Sequence, residues 1–179
     1  MVMSILIGLM IISGVVILDQ VSKLLMIYLL ADKAGQAISV IGDFFKFKLT
    51  FNTGAAWGMF EGKFWLLMTV TAIATIIFIF FAKYADFRKA KTYSIGIYFM
   101  IGGMIGNFVD RVFATEKSFL FTNLEAPAHG VTDFISFNFF PAIFNIADSF
   151  LCIGVALVLI DIIFFERKRN QDAKFSSEE

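Results

Sequence analysis

Eighteen consecutive residues from Phe64 to Phe81, FWLLMTVTAIATIIFIFF, carry no charge. A helix needs roughly 20 apolar residues to cross the hydrocarbon of a bilayer, and only helices or closed barrels satisfy their backbone there. Three more runs of this kind occur, at about 4–30, 93–110 and 143–165, with the charge-free run itself read as a span over 64–82. None shows the alternation of a barrel strand, so four transmembrane helices are expected. Composition supports this: 59% of the 179 residues are hydrophobic and 24 are Phe, more apolar surface than a soluble domain of this size can bury. The chain, 1–179, reads as a single integral membrane domain with a disordered tail over 166–179. Its N-terminal run lacks the basic start and small-residue cleavage site of a secretory signal, and is read as a retained first span.

Basic and acidic residues balance at 15 each, so nothing points to a nucleic-acid partner. Cys152 is the single cysteine, which rules out an internal disulfide and a cysteine metal cluster. Orientation follows from Lys and Arg near the span ends. Lys83, Arg88, Lys89 and Lys91 lie between the second and third spans, and Arg167, Lys168 and Arg169 follow the fourth. Both groups, and hence both termini, are expected on the cytoplasmic side, although the opposite segment 31–63 holds Lys33, Lys46, Lys48 and Lys63. On the outer side, FFKFKLTFN alternates Phe and Lys as an amphipathic strand would. Residues 112–142 form the second outer stretch and hold the one histidine and both prolines.

Ionisable groups inside spans are costly and usually face the bundle interior, which makes each a candidate for function. Here they are Asp19 and Lys23 in the first span, Asp110 and Arg111 closing the third, and Asp148 and Asp161 in the fourth; Asp133 lies just before the fourth. Asp19 and Lys23 are spaced i,i+4 and can pair. Asn107 shares a helix face with Asp110 and Arg111, and Asn145 with Asp148 repeats the Asn-x-x-Asp spacing. Asp110, Asp133 and Asp148 all fall toward one membrane face. Two carboxylates confined in a partly dry site share a proton, one staying neutral while the other acts as a base. Such a pair can activate water against a peptide carbonyl and protonate the leaving amine. The same acids could instead serve a small transporter or proton relay, or pair with Lys23 or Arg111 in a non-catalytic scaffold.

Other polar residues have plainer readings. Asp161, beside Glu166 and Arg167, reads as a snorkelling interfacial charge. His129 reads as an exposed loop residue, and no metal site is expected. Cys152 lacks the positioned base that a thiol protease needs. Trp57 and Trp65 fit interfacial anchors.

The segments ILDQVSK (17–23), FNTGAAWGMF (51–60), GNFVDRV (106–112), VTDFI (131–135) and FNIADS (144–149), in that order, resemble the lipoprotein signal peptidases, also called signal peptidase II. The resemblance covers nearly the whole chain. It implies an all-α membrane fold of four transmembrane helices with a small extracytoplasmic β-cradle and a peripheral helix or loop. It implies an aspartic endopeptidase of the bacterial cell membrane, inhibited by globomycin. Such an enzyme cuts a prolipoprotein just before its diacylglyceryl-modified cysteine, near the outer face, as a monomer among membrane lipids and without a cofactor. Asp133 and Asp148 fall on the catalytic positions. Asp19, Lys23, Asn52, Gly54, Asn107, Asp110, Arg111 and Asn145 fall on supporting or substrate-binding ones, Asp110 pairing locally or fixing Arg111. One departure is the stretch FATEKSFLFTNLEAPAHG at 113–130, which lengthens the usual short link between Asp110 and Asp133. A lid over the cleft is expected there.

Overall fold

The computed structural model describes residues 2–30, 37–54, 63–121 and 130–175. Trp57, His129 and residues 122–129 of the lengthened link lie outside them. The elements run α1 (Val2–Leu30), β1 (Ile38–Ile41), β2 (Phe45–Asn52), α2 (Phe64–Phe81), α3 (Lys91–Phe121), β3 (Val131–Phe137), β4 (Phe140–Phe144), α4 (Ile146–Ile160) and α5 (Arg167–Phe175). A π-helical turn, Asp161–Glu166, joins α4 to α5. Among the described residues, four helical stretches are long and apolar enough to cross a membrane: Met3–Leu30, Trp65–Tyr84, Lys91–Phe113 and Ile146–Gln171.

α3 is the hub of the bundle, packing against α1, α2 and α4. It buries Ile97, Tyr98, Met100, Ile101 and Met104 in the core, whereas α2 leaves Val70, Ile76 and Phe80 exposed on its surface. That contrast suits a helix bathed in hydrocarbon, where lipid is as apolar as leucine and close packing, not hydrophobicity, holds helices together. Close packing is visible where α3 crosses α4: a Cβ on Gly154 would lie 2.7 Å from the Gly96 carbonyl oxygen and 2.6 Å from Met100 Cγ. The two backbones touch because neither residue has a side chain.

The strands form one antiparallel sheet in the order β1-β2-β3-β4. Its apolar residues Phe134 and Ile135 pack on Met26 and Leu30 at the end of α1, which seats the sheet on the bundle. The strand expected from the Phe/Lys alternation is β2, where Thr50 faces Asp133 across the ladder. Side chains alternate along a strand, so Asn52, two residues on, shares a face with Thr50 and lies diagonal to Asp133.

Three expectations change. The fourth membrane helix begins at Ile146, not 143, because Ile143 and Phe144 complete β4 and Asn145 has extended backbone, φ −128° and ψ −175°. Asn145 is therefore the N-cap of α4, and Asp148 is the third residue of its first turn. The tail is helical through Phe175, and α3 runs on to Phe121, so the start of the lengthened link continues that helix. Asp161 does not snorkel. It is 1% exposed, and both its oxygens are held by the Arg169 guanidinium, with Nη1 to Oδ1 at 3.0 Å. The i,i+8 separation is bridged through the π turn.

Candidate active site

Four carboxylates, three of them buried and Asp148 partly so, meet where the sheet sits on the bundle. Asp19 comes from α1, Asp110 from α3, Asp133 from β3 and Asp148 from the first turn of α4. A cleft of about 910 Å³ opens onto this cluster between the sheet and the ends of α3 and α4. Asp133, Asp148, Asn52, Gly54, Asn107 and Arg111 line it, with Phe137, Phe139, Phe140 and Phe144 forming an aromatic wall. Asp19, Lys23, Asp110 and Asn145 stand behind that surface and are fully buried. All ten residues singled out from the sequence thus belong to one constellation, in two layers.

The rear layer is ionic. Lys23 Nζ lies 2.7 Å from Asp19 Oδ2 and 3.2 Å from Asp110 Oδ2. The i,i+4 pair of Asp19 and Lys23 forms as its spacing implies, and Asp110 pairs with Lys23 across helices. Its Oδ2 also accepts the Thr132 backbone N–H at 2.8 Å, tying α3 to β3. Asp19 Oδ1 accepts the Ala147 N–H at 2.9 Å, one of the free donors at the start of α4. Gln20 completes the layer, its Nε2 donating to Asp19 Oδ2, the Gly106 carbonyl and Asp110 Oδ1. Gly106 is required there, since a Cβ would stand 2.7 Å from Asp19 Oδ2. Sequence reasoning missed Gln20, Gly106 and Thr132. Gln20 was findable as a polar residue inside an apolar span, next to Asp19.

The front layer is built from amides. Asn145 Nδ2 donates to Asp133 Oδ1 at 2.7 Å, and Asn52 Nδ2 donates to Asp133 Oδ2 at 3.1 Å. Asn107 Nδ2 donates to Asp148 Oδ1 at 2.7 Å, and the Asn145 backbone N–H reaches Asp148 Oδ2 at 3.3 Å. Each of the four carboxylate oxygens receives an N–H from an amide. Asn52 is oriented by the Gly54 N–H, which donates to its Oδ1 at 3.0 Å. Asn145 is oriented by capping: its Oδ1 accepts the Asp148 N–H at 2.9 Å while Asp148 returns the bond, a reciprocal capping box. The Asn-x-x-Asp spacing in FNIADS therefore expresses a helix start and not a shared helix face. Arg111 lies at the cleft wall, its Nη1 3.5 Å from the Asn107 carbonyl.

Asp133, in the sheet, is 1% exposed, and its carboxyl is pushed up to about 7. Burial is the main cause and the neighbouring Asp148 charge adds to it, while the bonds from Asn52 and Asn145 pull the other way. A carboxyl held near neutrality beside a second one has the properties required of a shared-proton acid/base pair. The pair titrates as a unit. A structural salt bridge between Lys23 and either acid is excluded by where the ammonium points.

The chain is similar to known proteins over most of its length. A family description, Signal peptidase (SPase) II, matches residues 11–164. A lipoprotein signal peptidase of Listeria monocytogenes serotype 4b is 36% identical over 160 residues, covering 87% of this chain and 92% of that one. Two solved structures of a bacterial membrane enzyme are each 34% identical with a TM-score of 0.69. They cover 87% and 88% of this chain, and 87% and 93% of their own. With the match running across all the membrane helices and the sheet, this chain belongs to the signal peptidase II family.

Proposed function

We infer that this chain is an aspartic endopeptidase that removes the signal peptide of a prolipoprotein, with Asp133 and Asp148 as its catalytic pair. Membership of the family carries the activity. One observation supports the choice of acids among the four. Asn145 touches both Asp133 and Asp148 through its side-chain amide and backbone, and only those two acids line the open cleft. Asp19 and Asp110 share Lys23 in the closed layer behind.

The chemistry follows from the proton inventory. At rest the two carboxyls share one proton, and the ionised one takes a proton from a water in the cleft as the water oxygen bonds to the scissile carbonyl carbon. The carbon–nitrogen bond then breaks, and the pair returns a proton to the departing nitrogen. The products are a carboxylic acid and an amine, which exchange a proton to become a carboxylate and an ammonium, and the pair ends with one proton, as it began. Backbone amides and Arg111 along the cleft hold substrate carbonyls.

The substrate is modified with diacylglyceryl on a cysteine, and the cut falls just before that residue. The aromatic wall of Phe137, Phe139, Phe140 and Phe144 beside the acids offers an apolar surface for acyl chains. The sheet end of the bundle lies on the outer side of the bacterial cell membrane. The basic residues Lys83, Arg88, Lys89 and Arg167–Arg169 lie at the opposite end, on the cytoplasmic side with both termini. The protein works as a monomer among membrane lipids.

The test is cleavage of a diacylglyceryl-modified prolipoprotein by the purified protein, compared with Asp133→Asn and Asp148→Asn. Both variants are expected to be inactive while still folded. Cleavage that survives either one overturns the assignment of the pair.

A further inference from the structure

Lys23 lies one layer behind the cleft and reaches neither Asp133 nor Asp148 directly. An ammonium has three hydrogens and no lone pair, so it can only donate. It donates to Asp19 Oδ2 at 2.7 Å and to Asn107 Oδ1 at 3.0 Å, and pairs with Asp110 Oδ2 at 3.2 Å. The Asn107 atom facing Lys23 must therefore be the oxygen, and its nitrogen is turned toward Asp148. Asn145 repeats the constraint, since its Nδ2 donates to the same Asn107 oxygen at 3.0 Å. Turning Asn107 over would set its N–H against an ammonium and an amide N–H, and its oxygen against a carboxylate. In a dry site each mismatch leaves a polar group unsatisfied.

We propose, on the reading that Asp133 and Asp148 are the catalytic pair, that Lys23 is a positioning residue for the reaction. By fixing the direction of the Asn107 amide it commits an N–H, and not the amide oxygen, to Asp148 Oδ1, a hydrogen bond that favours the charged form of that acid. The charged groups around that position are Asp19 on α1, Asp110 and Arg111 on α3, Asp133 on β3 and Asp148 on α4. Asp19 and Asp110 absorb most of the Lys23 charge locally, so what reaches Asp148 is an oriented amide dipole more than a bare cation. A second path runs through Asp19, whose other oxygen grips the Ala147 N–H and steadies the turn that carries Asp148.

The experiment compares Lys23→Met, Lys23→Arg and Asp148→Asn with wild type, using a diacylglyceryl-modified prolipoprotein and recording kcat, KM, the pH profile and thermal stability in detergent. For Lys23→Met, kcat is expected to fall about 100-fold with KM within about threefold. The acid limb of kcat/KM should move up by about one pH unit, because the hydrogen bond that favours the charged form is no longer enforced. Lys23→Arg keeps a charged donor and should return the limb toward its wild-type position. A Lys23→Met enzyme that loses stability but keeps its acid limb and kcat per folded molecule overturns the proposal and makes Lys23 structural. If Lys23→Met does not fold, Asn107→Asp decides: it keeps an oxygen for Lys23 but has no N–H for Asp148. It should show the same limb shift, and an unmoved limb overturns the relay. Cleavage surviving in Asp148→Asn is a different result, since it removes the catalytic pair itself.

Discussion

The four carboxylates of the cluster divide into two pairs that the same fold treats in opposite ways. Asp19 and Asp110 are closed off from the cleft and share the Lys23 ammonium, which offsets part of their charge where it lies. Asp133 and Asp148 face the cleft and are held by amide N–H groups, which orient a carboxylate without cancelling its charge. Removing one member of the ion trio strands its partners in a dry interior. An amide-held pair leaves the proton mobile. One half of the cluster is built to stay as it is, and the other to change state during every turnover.

Removing charge from each half gives the largest contrast. Asp133→Asn or Asp148→Asn is expected to lower prolipoprotein cleavage by at least about 10³-fold, within the range for loss of a general acid or base, while thermal stability holds or rises. Asp110→Ala, in the other half, leaves Lys23 short of a partner and orphans the Thr132 N–H. Breaking a buried ion pair from one side costs about 3–5 kcal/mol, so this variant should melt well below wild type. A stable Asp110→Ala, or a strongly destabilised Asp133→Asn, would erase the distinction between the two pairs.

The dependence of stability on pH sharpens the comparison. In the folded protein Asp133 sits at about 7, against 3.8 for an ordinary aspartate. Raised by burial, it contributes fully to stability below the unfolded value and loses that contribution as pH rises through the folded one. Wild type should therefore lose stability between about pH 4 and pH 7, by at most about 4 kcal/mol from this residue. Asp133→Asn should flatten that slope and overtake wild type above pH 7. Parallel melting curves for the two proteins across pH 4–8 would show that Asp133 is not the group that is strained.

Much of this was legible in the sequence because both pairs are made of residues that do not belong in hydrocarbon. The apolar runs announced the helices, and every polar residue singled out within or beside them as catalytic or supporting went to one cluster, Asp161 standing apart on Arg169. What spacing could not supply was partners across elements. Asp19 and Lys23 are neighbours on one helix, so their pairing could be read locally, but Asp110 joins them only because α1 and α3 cross at that depth. Asp161 was misread for the same reason: its near neighbours Glu166 and Arg167 suggested a surface charge, whereas Arg169 closes on it from beyond the π turn. In FNIADS two grammars competed. Three-residue spacing marks both a helix face and a capping box, and the strand ending at Phe144 decided for the cap.

That cap yields the smallest and most discriminating prediction. Asn145 does two jobs with one side chain: its oxygen caps α4 and its nitrogen donates to Asp133 and Asn107. Asn145→Asp preserves the first job, since aspartate caps helices about as well as asparagine, and abolishes the second, since an ionised carboxylate has no hydrogen to give. Stability should change by about 1 kcal/mol or less if capping is what Asn145 contributes to the fold. Activity should nonetheless fall steeply, because a third carboxylate would compete for the proton that Asp133 and Asp148 share. Asn145→Ala reverses the emphasis: it loses the cap, at about 1 kcal/mol, and adds no charge, so the proton stays with the pair and more cleavage should survive than in Asn145→Asp. If the alanine variant were the less active of the two, Asn145 would matter to catalysis chiefly as the fastening of the turn that carries Asp148, and less as a donor to Asp133.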